Sequence, residues 1–411
     1  MERVVITGMG VVSPIGNNVE KFWRNLTEGK SGISSINTFD VSNHKAKIAG
    51  IIHDFNADDT LGKNEARRLD RFSQFALAAA EQAWTDSKID IDDINLERLG
   101  VYVGSGIGGI ETLIENVDTL REKGPRRVSP TLVPAMISNA AAAQISIKWN
   151  AMGPTMSPVS ACAIGNTAIG EAFRLIRFGE ADAVFAGGAE AAITDLSLAS
   201  FGNATALSTR NDNPAKSSRP FDVNRDGFVM SEGAGILILE SLSHALRRDA
   251  KIYAEVIGYG ASSDAYHMVA THPEGKGAYL AMKMALKNAN ISPEEIDVIS
   301  AHATSTEVGD RSETLAIKKL FESKAYQIPI TANKSMLGHM LGAAGGVEAI
   351  ALAKSLKEGI IPPTINLEKP DSLCDLDYVS GVARKVEIST GLSNSFGFGG
   401  HNAAIVLKKY E

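Results

Sequence analysis

The sequence predicts an α/β protein whose strands are mostly parallel and buried, and it predicts that arrangement in each half of the chain. Three observations carry the expectation: short β-branched runs ending in glycine, alanine-rich stretches with helical spacing between them, and the return of the same order after residue 250. Apolar strands bounded by glycine turns suit a sheet covered on both faces, where neither side meets water.

In order, RVVITGMG at 3–10 reads as a strand, RFSQFALAAAEQAW at 71–84 as a helix, and LGVYVGSG at 99–106 as a second strand. MSPVSACAIGNTAIGEAFRLIRFGEADAVFAGG then gives strand, sharp turn, long helix and strand. The order recurs in YAEVIGYG at 253–260, GAYLAMKMALKNAN at 277–290 and IDVISAHATS at 296–305. IPITANKSMLGHMLGAAGGVEAIALAKSLKEGIIPPTIN closes it with strand, glycine-rich loop, long helix and turn. Two related halves are expected, 1–250 and 251–411, the first with extra segments at 110–150 and 190–230. Asn, Arg, Asp, Pro and Gly concentrated at 203–233 indicate a long loop. On pattern alone, a non-repetitive α/β chain reads similarly.

At 411 residues, 44% hydrophobic and 22% charged, the chain can bury a sizeable core. Two cysteines, Cys162 and Cys374, exclude a disulfide framework and leave a structural zinc cluster short of ligands. A net charge of −7 argues against broad nucleic-acid binding but permits a local basic patch. MERVVITGMG lacks the pattern of a signal peptide, and no run of about 18 apolar residues follows, so a cytoplasmic location is expected.

VSACAIGNTAIGEAF sets Cys162 between an apolar strand and a small-residue helix. A thiol at a helix N-terminus meets the positive end of the macrodipole and several N–H groups, which favours thiolate. The same N–H groups suit an oxyanion on a carbonyl attacked by sulfur. The local sequence fits an inert buried cysteine equally well. Cys374, in PDSLCDLDYV, has no histidine or helix start beside it and reads as structural.

His302 follows the strand IDVISA and opens a loop with Thr304, Ser305 and Thr306, where α/β sheets place ligand-handling groups. His339 lies in NKSMLGHMLGAAGG, whose glycines permit close backbone approach. The two are expected at corresponding strand ends of the two halves, converging on one cleft. Taken singly, each reads as a structural histidine. GSGIGG at 104–109 fits GxGxxG after a strand, but REKGPRRVSP further on offers no acidic strand end, which speaks against a dinucleotide site. NSFGFGGHNA at 394–403 fits a mobile loop with an aromatic plug, or a plain turn.

Together, SACAIG around Cys162, HATST with His302, NKSMLGH with Lys334 and His339, and NSFGFGGHN resemble the signature set of the β-ketoacyl-acyl-carrier-protein synthases. VVITGMGVVSPIG and RPFDVNRDGFVMSEGAG at 219–235 extend the likeness over nearly the whole chain. The Cys-His-His set resembles the elongating enzymes rather than the initiating branch, which carries Cys-His-Asn, and chain length with the isoleucine of GSGIGG leans toward the type II elongating synthase. SACAIGNTAIG departs from the frequent TACATG, and Ala303 stands where glycine is frequent; both bear on chain-length preference rather than on the reaction. MVATHPEGK at 268–276 finds no match.

The resemblance implies a thiolase-like fold, two related halves in αβαβα layers, and a homodimer. It implies Cys162, His302, His339 and Lys334 as the catalytic set, N–H groups of Cys162 and Phe398 as an oxyanion hole, and Phe398 as a gate. Glu348 and Asp310 resemble the acidic network beside that lysine. Thr304 and Thr306 resemble threonines along a pantetheine arm, and Ile107 and Phe201 match acyl-pocket positions. Arg67, Arg68, Arg126 and Arg127 resemble a docking patch for an acidic acyl-carrier protein, although charge runs are as often simply solvated. No cofactor or metal is expected to be required, the substrate arriving on phosphopantetheine, while a monovalent cation is compatible.

The implied reaction is decarboxylative Claisen condensation of an acyl-enzyme with malonyl-acyl-carrier protein, in fatty-acid elongation. The alternatives are a polyketide ketosynthase, or a non-decarboxylating thiolase, which would carry a second cysteine where this chain reads GFGGHN. A non-catalytic chain-length subunit would lack the nucleophilic cysteine.

Overall fold

The computed structural model describes residues 1–411. Ten strands form one sheet: β1 (Val4–Val12), β2 (Leu99–Gly104), β3 (Thr155–Met156), β4 (Ala183–Glu190), β5 (Gly233–Ser241), β6 (Ala254–Ser263), β7 (Val298–Ser300), β8 (Ile330–Thr331), β9 (Thr390–Gly397) and β10 (His401–Lys408). Their order is β8-β7-β9-β10-β6-β1-β5-β4-β2-β3. From the β1–β6 seam outward both sides repeat one scheme: an antiparallel strand, a second antiparallel pairing, then two parallel ones. The seam itself is antiparallel, with Val4 opposite Val256.

Seven helices accompany this sheet: α1 (Arg71–Ser87), α2 (Ile110–Lys123), α3 (Ala140–Trp149), α4 (Ile164–Arg177), α5 (Lys276–Ala289), α6 (Glu307–Phe321) and α7 (Ala344–Glu358); all but α2, which buries no residue, pack over it. Side-chain alternation along the strands decides which layer each faces. In β5, Leu237 and Leu239 enter the central core while Ile236 and Ile238 enter an outer one. In β10, Ala403, Ile405 and Leu407 face the central core, and Ala404 and Val406 face the other outer one. The central core is the largest, 45 buried residues against 28 and 23, because α4 and α7 lie inside it and touch strands of both halves. The result is five layers, α/β/α/β/α.

Enclosure explains the composition of the inner helices. Their N-terminal turns meet so closely that a Cβ on Gly165 would lie 2.4 Å from the Gly346 nitrogen. The outer helix α1 instead alternates an alanine-rich buried face with polar positions, and Asp70 caps it by accepting from Phe72 N–H.

The stretch 203–233, expected to be a long loop, follows a helix at Asp195–Asn203 and holds only a single 3-10 turn at Pro214–Lys216 before β5. Charge orders it. Arg225 is buried between Asp310 at 3.2 Å and Asp371 at 3.0 Å, and Arg219 pairs with Asp222 at 3.0 Å. No helix is long and apolar enough to cross a membrane.

Candidate active site

The functional side chains emerge where strands give way to turns. After β3 the chain makes a tight 3-10 turn, Ala161–Ala163, that runs into α4. Ala161 adopts φ 50°, a left-handed conformation that costs a non-glycine residue roughly 1–2 kcal/mol and tilts the next residue out of the strand direction. That next residue is Cys162. Its sulfur is buried, and N–H groups of Phe398 and of Cys162 itself are directed at it.

His302 follows β7 and His339 follows β8. Both histidines therefore belong to the second half, on adjacent parallel strands, and not to corresponding strand ends of the two halves as the sequence suggested. Adjacent strands lie about 4.8 Å apart, so their C-terminal ends bring the rings together. The ring centroids are 5.3 Å apart and the planes nearly perpendicular, at 86°. The backbone of His339 is clamped by the first half: its N–H donates to Val229 O at 2.7 Å and its carbonyl accepts from Ser231 N–H at 3.0 Å.

Burial holds both imidazoles well below the ordinary histidine pKa, and the Lys334 ammonium lowers each further. They are neutral at working pH. Each Nδ1 is sealed from solvent with no hydrogen-bond partner. A proton there would be an orphaned buried donor, so the tautomer with Nε2–H facing the cavity is favoured.

Lys334 is buried and pairs with Glu348 at 2.5 Å. Breaking such a pair by removing one partner costs about 3–5 kcal/mol, because the other charge is left in low dielectric. Asp310 does not join this pair. Its carboxylate accepts from Phe221 and Ser305 N–H groups and faces Arg225, so it supports the 219–225 loop instead. Burial raises its pKa to about 7. The carboxylate that holds the His302 turn is Glu313, which accepts from His302 N–H at 2.9 Å, Ala303 N–H at 2.8 Å and Asn394 Nδ2 at 3.0 Å. Ala303 sits at φ 34°, which explains why glycine suits this position and why a second anchor is needed here.

These groups surround one cavity of about 350 Å³. Cys162, His302, His339, Thr304, Thr306 and Phe398 line it, as do Ile107 and Phe201. The two threonine hydroxyls are 3.0 Å apart. Phe201 packs on Phe228 and Phe398, at centroid distances of 5.5 and 6.2 Å, and Phe228 meets His339 edge-on at 5.4 Å. Val269, Ala270 and Thr271, from the segment that matched nothing in sequence, form part of the wall. Arg67, Arg68, Arg126 and Arg127 are exposed and lie outside the cavity.

One expectation fails here. The helix terminus was expected to favour thiolate at Cys162, yet burial pushes the thiol up to about 12, against the opposing pull of Lys334 and the two N–H groups. Desolvation of a sulfur in an apolar pocket outweighs the dipole. Sequence reading also missed Glu313 and Glu190, both buried glutamates on the cavity wall. A glutamate closing the apolar strand AVFAGGAE was a visible anomaly that points to the second of them.

A family profile described as the N-terminal domain of β-ketoacyl synthase matches residues 1–245, and the corresponding C-terminal domain profile matches residues 253–368. A protein of Synechocystis sp. named 3-oxoacyl-[acyl-carrier-protein] synthase 2 is 49% identical over 410 residues, covering 100% of this chain and 99% of its own. A Coxiella burnetii protein of the same name is 48% identical over 407 residues, covering 99% of this chain and 98% of its own. Among solved structures, a β-ketoacyl synthase from Burkholderia phymatum superposes with a TM-score of 0.93 at 35% identity, over 100% of both chains. A type II polyketide ketosynthase, solved with its acyl-carrier protein and bound to a hexaketide, superposes with a TM-score of 0.92 at 37% identity, again over 100% of both.

Proposed function

The chain belongs to the β-ketoacyl synthase family, and from that premise we propose how its residues divide a decarboxylative condensation between them. It is an acyl-transferring condensing enzyme of fatty-acid synthesis. The observation that carries the division of labour is the convergence of one thiol and two neutral imidazoles on a single cavity.

In the first half-reaction the Cys162 sulfur attacks an acyl thioester on the carrier protein. N–H groups of Cys162 and Phe398, already directed at the sulfur, hold the oxyanion as the tetrahedral centre forms. Because the resting thiol is protonated, its proton leaves as the carbon–sulfur bond forms and ends on the departing pantetheine thiol. In the second half-reaction Nε2–H groups of His302 and His339 donate to the thioester carbonyl of malonyl-carrier. Loss of carbon dioxide leaves an enolate stabilised by those two donors, and its carbon attacks the acyl-enzyme carbonyl, expelling Cys162 as thiolate, which takes a proton from water as the 3-oxoacyl product leaves. Lys334 keeps both imidazoles neutral, and Glu348 balances its charge. Thr304 and Thr306 line the pantetheine path, Ile107 and Phe201 the acyl pocket, and Phe398 is its gate.

The partner is an acyl-carrier protein, docked in the cytoplasm on Arg67, Arg68, Arg126 and Arg127. No group of three or more His, Cys, Asp or Glu side chains is arranged to hold a metal ion. A homodimer is supported by unequal sheet edges. At one end β8 is covered, with Ile330 N–H donating to Asp377 O at 2.7 Å. At the other, β3 is open and flanked by exposed Met152, Met156 and Val159. An open apolar edge is stable when a second copy pairs with it. The polyketide reading is weaker, because the relatives named for 3-oxoacyl synthesis are more similar to this chain, at 48–49%, than the polyketide ketosynthase, at 37%.

Intact mass of the protein after incubation with acyl-carrier protein tests the proposal. A covalent acyl adduct is expected, and it should vanish in Cys162→Ala while malonyl decarboxylation persists. An adduct that survives the substitution refutes the role of Cys162.

A further inference from the structure

Glu190 ends β4 with a fully buried carboxylate on the cavity wall. Oε1 accepts from Ser105 Oγ at 2.7 Å and Ile107 N–H at 3.2 Å. Oε2 accepts from Gly106 N–H at 2.9 Å and Gly342 N–H at 3.0 Å. These four partners are neutral, and burial raises the carboxyl pKa. Three of them belong to the turn after β2 that presents Ile107 to the cavity. The fourth belongs to the turn that follows His339.

The two halves make the placement of that fourth donor informative. The turns Ala161–Ala163 and Leu341–Ala343 are counterparts: each leads into an inner helix, and each opens on a left-handed residue, Ala161 at φ 50° and Leu341 at φ 49°. Gly342 thus stands where Cys162 stands in the other half. The N–H of Cys162 is directed at the reactive sulfur, whereas that of Gly342 is taken by Glu190. The fit is close, since a Cβ on Gly106 or on Gly342 would lie 2.9 Å from Oε2. The histidines have separate anchors, His302 through Glu313 and His339 through Val229 and Ser231.

Resting on the condensing-enzyme reading above, we propose that Glu190 is a positioning residue for the acyl half-reaction: it ties the 105–107 turn to Gly342 and so fixes the wall along which the acyl chain lies relative to Cys162. A carboxamide has one acceptor oxygen, so in either orientation Glu190→Gln turns an NH2 group toward at least one backbone N–H donor and frees part of that wall.

The test compares two activities of one Glu190→Gln sample. Acyl-enzyme formation, followed by intact mass over a series of acyl-carrier chain lengths, is expected to fall about tenfold or more with an altered length profile. Malonyl-carrier decarboxylation in the absence of acyl donor is expected to stay within about twofold, because the imidazole anchors are untouched. Glu190→Asp, which keeps both acceptor oxygens, should recover part of the acylation rate. Equal losses in both activities, or undiminished acylation, overturn the proposal. Should Glu190→Gln not fold, Ser105→Ala removes one of the four donors and is read in the same way, unchanged acylation again overturning it. Failure of the underlying reading looks different: the unmodified chain itself then forms no adduct at Cys162.

Discussion

Replacing Gly165 by alanine adds one methyl group where the two inner helices touch. The added Cβ would lie 2.4 Å from the Gly346 nitrogen and 2.7 Å from the Gly345 Cα and carbonyl carbon. All three are backbone atoms, so no rotamer change relieves the contact. Ordinary contact begins at 3.4 Å, so the helices must separate by the 1.0 Å difference between 3.4 and 2.4 Å. Overpacking of this kind costs about 1–3 kcal/mol, offset by up to about 1 kcal/mol of helix propensity gained over glycine. Unfolding entropy for a chain of 411 residues is about 0.9 kcal/mol per kelvin, so the melting temperature should fall by no more than about 3 °C.

Activity should suffer far more. Cys162 lies one turn upstream of Gly165, and displacement of a reacting atom by about 1 Å costs on the order of 100-fold in rate. The expected outcome for Gly165→Ala is near-normal thermal unfolding together with acyl-enzyme formation, measured by intact mass, slowed about 100-fold. Acylation within about threefold of the unmodified chain would show that the inner-helix contact does not set the position of the nucleophile.

Two further outcomes follow from the electrostatics. With its pKa pushed up to about 12, Cys162 should react with iodoacetamide about tenfold faster for each pH unit between 7 and 9, read by peptide mass; a plateau below pH 9 contradicts a buried, protonated resting thiol. Reversing charge in Arg126→Glu with Arg127→Glu should raise KM for carrier-bound substrate about tenfold at low salt, leave kcat within twofold, and flatten the dependence of KM on ionic strength; a KM indifferent to salt in the unmodified chain removes the docking role.

Much of the site was legible because its chemistry is local. Cys162 sits at a strand-to-helix turn of small residues and His302 follows a short apolar strand; each setting alone left a structural role equally open, and only the motifs taken together singled both out. Other features depended on contacts between distant segments. Asp310 was grouped with Lys334 by motif, but the fold turns it toward Arg225, 85 residues earlier in the chain. Glu313 was passed over because nothing in its own helix reveals that it faces the backbone of His302. The thiol's protonation state was misjudged for the same reason, since a helix terminus is visible in sequence and burial of the sulfur is not.

The sequence by itself determined the alternating strands and helices, the order that recurs after residue 250, and the residue types able to carry acyl transfer and enolate stabilisation. Those properties follow from side-chain periodicity and from chemistry intrinsic to each residue. Tertiary structure alone decided that the strands preceding the two histidines lie side by side, which carboxylate serves which turn, and that the thiol rests protonated. Each of these depends on distances and dielectric between groups far apart in the chain, which only packing sets.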